Sequence, residues 1–564
     1  MKTNRLITAL LIAGTLVGCQ KKEILPPQEK DPEEQKDPAQ PENPDNPENP
    51  DDPENPDNPE NPDNPGTPDT PGTPAGRWAD TGADLPDYPS YNKVSSLADF
   101  PRIDITWDSN PNQYRLAEGE FEYVNGTIKF SDPKGMYNTE NKDEFDFDNT
   151  TVTLPMKIRC RGNTSWDAEG GVKNAYRIKL TDAGRNVKEP HRLFGMKKDS
   201  DWYLLADVQD PALLRNAVAL RISRMVSMPW SPKYRYVEVY RTRSNGNSDY
   251  LGCYLLCEAK EADRDSKVPI EVVQEGQVDG GYLLEIDNKG DYDRSFRSER
   301  FDKKIKFKDP DFGDKNNPDD SPSAQAQMQF ITDYVNEVEN LLADKDFDPE
   351  TGYRSMMEVG TFIGNYIVQE LMKNVDGGMR LSTYFAKDKD TKLFMPMVWD
   401  FDLTLGNFNG SNTSWDSFYL PDGDDPEGWF IRVRGGTFET ARGHDPNAKE
   451  LSYYQCLFED PLFVEELKEY WNRVYPRLQK IPAFIDKMVE YNTLAFDHNW
   501  QAGKNPRADG TPNYWSQAPR YNTWKEAVSA MKTFYTRRLS WLNTNINNLK
   551  AQRYDENTGT YKDL

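Results

Sequence analysis

The feature that most constrains the fold is a change in the spacing of apolar residues partway along the chain. Between about residues 90 and 310, runs such as TVTLPMKIRCRG, AYRIKL and YRYVEVYR alternate apolar with polar residues, which is typical of half-buried β-strands. Between about residues 320 and 552, apolar residues recur at i, i+3, i+4 and i+7, which indicates amphipathic helices. The sequence therefore predicts an α+β protein with a β-rich lobe followed by a mainly helical lobe.

The first 75 residues are expected to contribute nothing to that packed structure. MKTNRLITALLIAGTLVGC has a basic end, an apolar run too short to span a membrane comfortably, and a lipobox-like LVGC, so residues 1–19 predict a lipoprotein signal peptide with Cys19 as the lipidated residue. The alternative is an ordinary cleaved signal with a chance cysteine. Residues 20–75 repeat Pro, Asn, Asp and Glu, which predicts a disordered linker. We therefore expect a protein attached to the bacterial cell envelope by its lipid, at the outer membrane or the cell surface.

The remaining chain divides into three predicted parts. Residues 76–150 form a β-rich segment, either a small domain or extra strands of the first lobe. Residues 151–552 form the main domain, and residues 553–564 form a C-terminal tail. No long apolar segment follows residue 19, so no transmembrane helix is expected.

Charge and residue counts narrow the possible chemistry. The net charge is −25, and the first 75 residues hold 16 acidic and 6 basic residues, so the folded part is acidic and nucleic-acid binding is disfavoured. Beyond Cys19 there are four cysteines (Cys160, Cys253, Cys257 and Cys456) without zinc-type spacing, and the chain has only three histidines. Acid–base or metal chemistry should therefore rest on carboxylates.

Carboxylates stand at both ends of one apolar stretch. The runs LSTYFAK and LFMPMVW, joined by DKDTK, predict a hairpin; Asp376 precedes it, and Asp400 and Asp402 follow it. Protein kinases place a catalytic-loop aspartate and a metal-binding aspartate in the same order around a hairpin. The alternative is that these aspartates only form turns and caps. Upstream, DPALLRNAVALRISRMV predicts a helix with Asp210 as its N-cap.

Five ordered motifs carry a family resemblance between about residues 152 and 552. They are KIRCRGNTSW with KNAYRIKL, LFGMKKDSDWYLLADVQDPALLRNAVA, YVEVYRTRSNGNSDYLGCYLLCEAKE, ELMKNVDG and MPMVWDFDLTLGN. With them the chain resembles the spore-coat CotH kinase family. The resemblance implies an atypical protein-kinase-like fold that uses ATP and Mg²⁺ (or Mn²⁺) to phosphorylate serine on other proteins.

The resemblance also implies roles for residues in the helical half. Asp376 in NVDG matches the catalytic-loop aspartate, and Asp400 in VWDFD matches the metal-binding aspartate. Asp402 is either a second metal ligand or a turn former. A kinase catalytic loop has an asparagine five residues after its aspartate, whereas this chain has Leu381 there and Ser382 next, which puts efficient transfer in doubt.

In the β-rich half, the resemblance implies residues that bind the cofactor. Arg161 and Asn163, in RGNTS, match a loop that covers phosphates. Lys179 is the candidate phosphate-binding lysine, with a solvent-facing position on an alternating strand as its alternative. Glu258 would partner a lysine or face the nucleotide. Arg215 and Asn216 match a further motif, as either a buried ion pair or a nucleotide contact.

Three functions remain open from the sequence. The leading one is an envelope-anchored protein kinase acting on Ser/Thr hydroxyls. The second is a catalytically weak kinase-like fold that binds a surface glycan or a partner protein, for which aromatic-rich loops supply Trp415, Phe418, Tyr419, Trp429, Trp500 and Tyr514. The third is a metal-dependent hydrolase using the same aspartates. The acidic stretch YLPDGDDPEG, residues 419–428, is either a Ca²⁺ loop or a solvated loop.

Overall fold

The architecture was obtained as a computed structural model, and the compact unit that it describes lies within Gly72–Leu564. The residues described are 80–109, 111, 122–137, 152–162, 173–287, 293–314, 317–408, 423–431, 452–505, 519–555 and 560–564. Cys19, Asn163 and the linker 20–75 lie outside these ranges.

The first half of the structure is a closed seven-stranded barrel with the strand order β1-β2-β3-β4-β5-β7-β6. Neighbouring strands are antiparallel except β1 and β6, whose parallel pairing closes the barrel. Two of the strands, β1 and β2, come from the segment 76–150. The strands are β1 (Arg102–Trp107), β2 (Val124–Ser131), β3 (Val152–Cys160), β4 (Tyr176–Leu180), β5 (Asp201–Leu205), β6 (Tyr234–Thr242) and β7 (Ser248–Glu258).

The barrel interior follows directly from the alternation in the sequence. Each of the strands β1 to β4 has a fully buried isoleucine, and the residues on either side of it in the strand are less buried. These isoleucines are Ile105, Ile128, Ile158 and Ile178. Because successive side chains of a strand point to opposite faces, one face of each strand fills the barrel. The barrel is therefore a packed core.

Helix α1 (Arg215–Met225) lies between β5 and β6 in the chain. The N-cap prediction for Asp210 is wrong, since the helix begins at Arg215 and its N-cap is Leu214. The backbone of Leu213 has φ +60, which interrupts helical geometry before that point. Asp210 nevertheless accepts hydrogen bonds from the backbone N–H groups of Ala212 (2.9 Å) and Arg215 (2.8 Å).

A second, four-stranded sheet has the order β11-β8-β10-β9. It contains β8 (Tyr282–Ile286), β9 (Ser295–Arg297), β10 (Lys304–Asp309) and β11 (Thr383–Lys387). The predicted second hairpin strand, LFMPMVW, forms only at its start, where Phe394 pairs with Ala386 and Leu393 with Met357, and no strand continues beyond them. Pro396 has no N–H to donate, and Met395 donates instead to the side-chain oxygen of Thr361 (2.9 Å).

The second half is mainly helical, as the spacing of its apolar residues predicts. Helix α3 is buried along its whole length, and the other long helices bury one face each. The elements are α2 (Pro322–Ala343), α3 (Val359–Met372), α4 (Tyr453–Leu457), α5 (Pro461–Leu478), α6 (Ile481–Gln501), α7 (Trp524–Asn545), β12 (Gln552–Asp555) and β13 (Thr560–Asp563). The protein is therefore an α+β protein.

Two further observations concern the described residues. No helix among them is long and apolar enough to cross a membrane. Cys160, Cys253, Cys257 and Cys456 are all buried and none forms a disulfide. Burial raises the pKa of the Cys160 and Cys456 thiols to about 12, so these cysteines act as small core residues.

Candidate functional site

A cavity lies where the barrel and α1 meet the segment that follows α3. Asp376, Asp400 and Asp402 all line it, although they stand at opposite ends of the 376–402 stretch. Arg161 and Asn216 line it from the barrel side. The structure thus brings four of the sequence-predicted site residues, and Asn216, to one place.

Asp376 is positioned by the turn that ends α3. The helix stops at Lys373, whose φ of +48 marks a left-handed C-cap. The Asn374 side-chain oxygen then accepts hydrogen bonds from the backbone N–H groups of Asp376 (3.1 Å) and Gly377 (3.0 Å). Its amide nitrogen donates to the backbone carbonyl of Asp400 (3.3 Å). Asn374 therefore joins the loop of Asp376 to the loop of Asp400.

Asp400 and Asp402 are held from the barrel side by α1. The backbone N–H of Phe401 donates to the Asn216 side-chain oxygen (2.8 Å), and the Asn216 amide donates to the Asp207 carboxylate (2.8 Å). Ser382 Oγ donates to Asp400 Oδ2 (3.2 Å). Asp207, Ser382 and Asp400 have φ values of +45, +49 and +68, which L-residues rarely adopt. Such strain concentrates at functional sites.

Arg215 has a supporting role beside this loop. Its guanidinium is fully buried, forms an ion pair with Asp210, and donates to the carbonyl oxygens of Thr404 (2.7 Å) and Leu405 (3.4 Å). These contacts fix the loop after Asp402 to the first turn of α1. Of the two motif residues, Arg215 forms the buried ion pair and Asn216 reaches the cavity.

The crowding of carboxylates makes this cavity strongly attractive to cations. The Asp400 side chain opens to the cavity. The surrounding protein removes water from its carboxylate, and this burial, together with the negative charge of Asp376, raises the pKa of Asp400. Burial and the charges of Asp400 and Asp376 raise the pKa of Asp402 well above its ordinary value. Burial, with Asp210, raises the pKa of Asp207 to about 7. A divalent cation would relieve this repulsion, and carboxylate oxygens are the ligands that Mg²⁺ prefers.

A second cluster of carboxylates lies outside the cavity lining and differs in its charge balance. Asp199, Asp201 and Glu261 have carboxylate oxygens within 4.8 Å of one another. Lys267 Nζ lies 2.6 Å from both Asp199 and Glu261, and Arg177 lies 2.9 Å from Asp201. Protein cations therefore neutralise that group, and the donor set of the cavity fits a metal better.

The predicted cofactor-binding residues separate into two groups. Arg161 lines the cavity, and its guanidinium carbon lies 4.4 Å from the centre of the Tyr203 ring and 5.7 Å from that of Trp399. Lys179 and Glu258 do not line it. The register sets Lys179 between Lys157 and Asp201, with its Nζ 4.7 Å from the Tyr123 ring centre. The buried Glu258 carboxylate accepts from the backbone N–H of Lys233 (2.8 Å).

Sequence reasoning missed Lys260, which does not line the cavity but lies over the ring of Trp399, which does. Lys260 Nζ contacts the Tyr384 hydroxyl, lies 3.7 Å from Glu285 Oε1, and lies 4.5 Å from the centre of the Trp399 ring. Burial lowers the pKa of Lys260 to about 8, although Glu285 and Asp400 favour its charged form. The motif YLLCEAKE holds this lysine, but nothing in its spacing distinguishes it from Lys179.

Two aspartates of the cavity were also missed. Asp287 directly follows β8, and Asp207 follows β5 by two residues. A carboxylate just after a strand is the same signal that identified Asp400, so applying it to YLLEIDN and YLLAD would have found both. Asp287 also forms an ion pair with Lys306 (3.1 Å).

The described part of the aromatic loops forms no exposed platform. Trp429 packs against Trp541 with ring centres 5.2 Å apart, and Trp500 packs against the core. Trp415, Phe418, Tyr419 and Tyr514 lie outside the described residues. In the acidic stretch, Lys373 donates to the carbonyls of Asp425 (2.6 Å) and Glu427 (3.0 Å), so a protein cation binds these oxygens.

The chain matches the model of a known protein family. The family model described as "CotH kinase protein" matches residues 158–542, which is more than half of the chain and runs from β3 to α7. The matched range contains Arg161, Asp376, Asp400 and Asp402. No curated protein matches the chain.

Proposed function

Because the chain belongs to the CotH kinase family, we propose that it is a protein kinase that transfers the ATP γ-phosphate to serine or threonine hydroxyls with Mg²⁺ or Mn²⁺. The observation that carries this proposal is the meeting of Asp376, Asp400 and Asp402 with Arg161 in one cavity. Acyl transfer, or any reaction through a nucleophilic side chain, would need a different set of side chains. Phosphoryl transfer needs mainly the positioning of the reacting groups and the stabilisation of their negative charge.

In this proposal Asp400 and Asp402 would hold the metal ion, whose positive charge would offset the negative charge of the phosphates. Asp376 accepts the proton of the acceptor hydroxyl as the hydroxyl oxygen attacks the γ-phosphorus. The bond between that phosphorus and the β–γ bridging oxygen breaks, and ADP leaves. Asn374 and Asn216 keep the aspartates in register by binding the backbone on either side of the cavity.

The cations of the barrel side would recognise the phosphates. No carboxylate among the described residues lies within ion-pair distance of Arg161, so its donors are available to a phosphate, and the Tyr203 and Trp399 rings orient it. We assign to Lys260 the phosphate contact that the family resemblance suggested for Lys179, because Lys260 lies over the ring of the cavity-lining Trp399 and the charge of Asp400 favours its charged form. The barrel would then act as the nucleotide-covering lobe of a kinase-like fold.

The cellular setting is part of the proposal. A lipid on Cys19 and the linker 20–75 would tether the kinase to the bacterial cell envelope. Since ATP is scarce outside the cytoplasm, activity there requires that the nucleotide be supplied at the envelope.

A second candidate is a catalytically weak member that binds a surface glycan or a protein. It is favoured by Leu381, which lines the cavity where a kinase catalytic loop has its asparagine. Ser382, next to it, offers only a hydroxyl, which already donates to Asp400. The metal-dependent hydrolase has no comparable observation in its favour.

Nucleotide binding tests the leading proposal. The full chain in detergent is titrated with ATP in the presence of Mg²⁺ or Mn²⁺, and the heat of binding is recorded. We expect binding that needs the metal, is lost in Asp400→Asn, and is unchanged in Asp333→Asn, which makes the same change on an exposed face of α2. Absence of binding to a folded protein with either metal would exclude the kinase and leave the binding protein.

A further inference from the structure

One polar side chain of the cavity lining has no part in the proposed transfer. Gln209 stands in the turn between β5 and α1, lines the cavity and is only 4% exposed. The other uncharged polar side chains of the lining are engaged, since Asn216 donates to Asp207 and Ser382 donates to Asp400. The Gln209 side-chain amide forms no hydrogen bond to any residue that the structure describes. Because buried amides are almost always hydrogen-bonded, this one calls for a partner that enters the cavity.

The backbone of Gln209 is tied to the loop of the proposed metal-binding aspartates. Asn407 is fully buried, and its side-chain amide donates to two carbonyl oxygens, those of Gln209 (2.9 Å) and of Asp402 (2.7 Å). A single side chain therefore sets the position of Gln209 relative to Asp402.

The lining next to Gln209 in the chain and on the adjoining elements is apolar. Six buried residues contribute to it from the residue before β4, from β5 and the turn after it, and from α1. We call them the apolar wall: Ala175, Leu205, Ala206, Val208, Ala219 and Leu220. The carboxylates of Asp376, Asp400 and Asp402 come instead from the segment that follows α3. The cavity therefore combines an apolar surface that carries one unpaired amide with a cluster of acidic groups.

A purine nucleotide has matching parts. Its phosphates would lie at the proposed metal, and its planar, largely apolar base would lie against the apolar wall, where three alanines leave space for it. Adenine presents its 6-amino donor beside a ring-nitrogen acceptor. A carboxamide has one acceptor oxygen and one donor nitrogen, so it pairs with both groups at once.

Guanine fits the same surface less well. It carries an additional amino group on C2, where adenine has only a C–H. The apolar side chains of the wall offer no acceptor for that amino group, and burying an unpaired polar group is costly.

We propose that Gln209 recognises the base of the nucleotide and selects adenine, with the apolar wall holding the faces of the ring. This inference rests on the proposed kinase function, since it names the residue that chooses that reaction's phosphate donor. Gln209 is then a specificity-determining residue on the barrel side, separate from the carboxylates that hold the metal and accept the proton.

Nucleotide binding without an acceptor tests this assignment. The full chain in detergent is titrated with ATP, GTP and purine riboside triphosphate, which is ATP without the 6-amino group, each with Mg²⁺, and the heat of binding is recorded. We expect the unaltered protein to bind ATP at least tenfold more tightly than either of the others. Gln209→Met keeps the length of the side chain and removes the amide. It should weaken ATP binding about tenfold and bring ATP and purine riboside triphosphate within about threefold of each other.

The matched control is Gln479→Met, the same change at the exposed C-cap of α5, which should leave all three affinities unchanged. If the unaltered protein binds ATP no better than GTP or purine riboside triphosphate, the inference is wrong whether or not Gln209→Met folds, and the kinase function still stands. A preference that survives in Gln209→Met, with an unchanged melting temperature, also overturns it. If no nucleotide binds, both the inference and the proposed function are wrong. A preference that Gln209→Met abolishes, without phosphate transfer to a serine peptide, supports the inference and excludes the kinase reaction.

Discussion

At the scale of single residues, the direction in which a side chain leaves its strand separates Lys260 from Lys179. Lys179 is an outward residue of β4, next to Lys157 in the adjoining strand. Lys260 follows β7 and turns toward Trp399, which lines the cavity, and toward Tyr384 and Glu285. Two lysines in similar strand-like sequence therefore have different surroundings.

The pair gives a direct test of which lysine contacts the phosphates. Lys260→Met is expected to raise the KM for ATP by tenfold or more, since a charge-assisted contact contributes about 1.5–3 kcal/mol. Lys179→Met should change that KM by less than about twofold. Initial rates over a range of ATP concentrations measure both, with one neutral peptide as acceptor. If Lys179→Met raises the KM for ATP more than Lys260→Met does, Lys179 on β4 makes the phosphate contact instead.

At the scale of elements, α7 holds α3 and the 423–431 segment together through one buried ion pair. Arg538 on α7 contacts Glu370 on α3, and both side chains are almost wholly buried. The Glu370 carboxylate also accepts from the backbone N–H groups of Phe430 (2.7 Å) and Ile431 (2.8 Å). Because α3 leads into the Asp376 turn, this pair supports the cavity from behind.

Neutralising Glu370 should therefore destabilise the folded protein. Glu370→Gln leaves Arg538 buried without its counter-charge and is expected to lower the free energy of unfolding by about 3–5 kcal/mol. Lys532→Met is the control on α7, the helix that carries Arg538. Lys532 pairs with Asp486 at the surface, so the effect of this change should stay below about 1 kcal/mol. Urea unfolding followed by circular dichroism measures both. Similar losses from the two variants would contradict this account.

At the scale of the whole molecule, residues 80–100 form a strap over both halves of the described structure. Asn92 donates to the carbonyls of Met136 (2.9 Å) and Gly135 (2.8 Å) in the loop after β2. Asp80 accepts from Ser227 (2.9 Å) beyond α1 and from both terminal nitrogens of Arg477 on α5 (2.6 Å each). The strap therefore joins the barrel to the helices.

The strap should make stability sensitive to acid. Hydrogen bonding to Arg477 lowers the pKa of Asp80 below its ordinary 3.8, so its contribution is present above that value and is lost as pH falls through the lower, folded-state pKa. Asp80→Asn is expected to remove about 1.5–3 kcal/mol at pH 7 and to flatten the loss of stability below about pH 4. Thermal unfolding from pH 7 to pH 2 measures this.

A control for that measurement lies on the same strap. Asp87 pairs with Lys480 across an exposed contact, and Asp87→Asn should change stability by less than about 1 kcal/mol. If stability falls equally between pH 4 and pH 2 in the unaltered protein and in Asp80→Asn, the ion pair of Asp80 with Arg477 does not make stability sensitive to acid.

The sequence by itself determined the α+β class, the positions of most strands and helices, and the placing of Asp376, Asp400 and Arg161 in family motifs. These features were readable because hydrophobic period and short motifs are local properties of the chain. The failures were also local in origin. Leu213 breaks the helix start predicted at Asp210, and Pro396 prevents the second hairpin strand.

Only the tertiary structure decided which distant parts meet. The parallel pairing of β1 with β6 closes the barrel across more than a hundred residues of chain, and no local pattern encodes that partner. The different surroundings of Lys260 and Lys179, and the positions of Asp207 and Asp287 at the cavity, depend on strand register and on which surfaces pack together. Burial and charge environment arise from that packing, so they become visible only when the chain is folded.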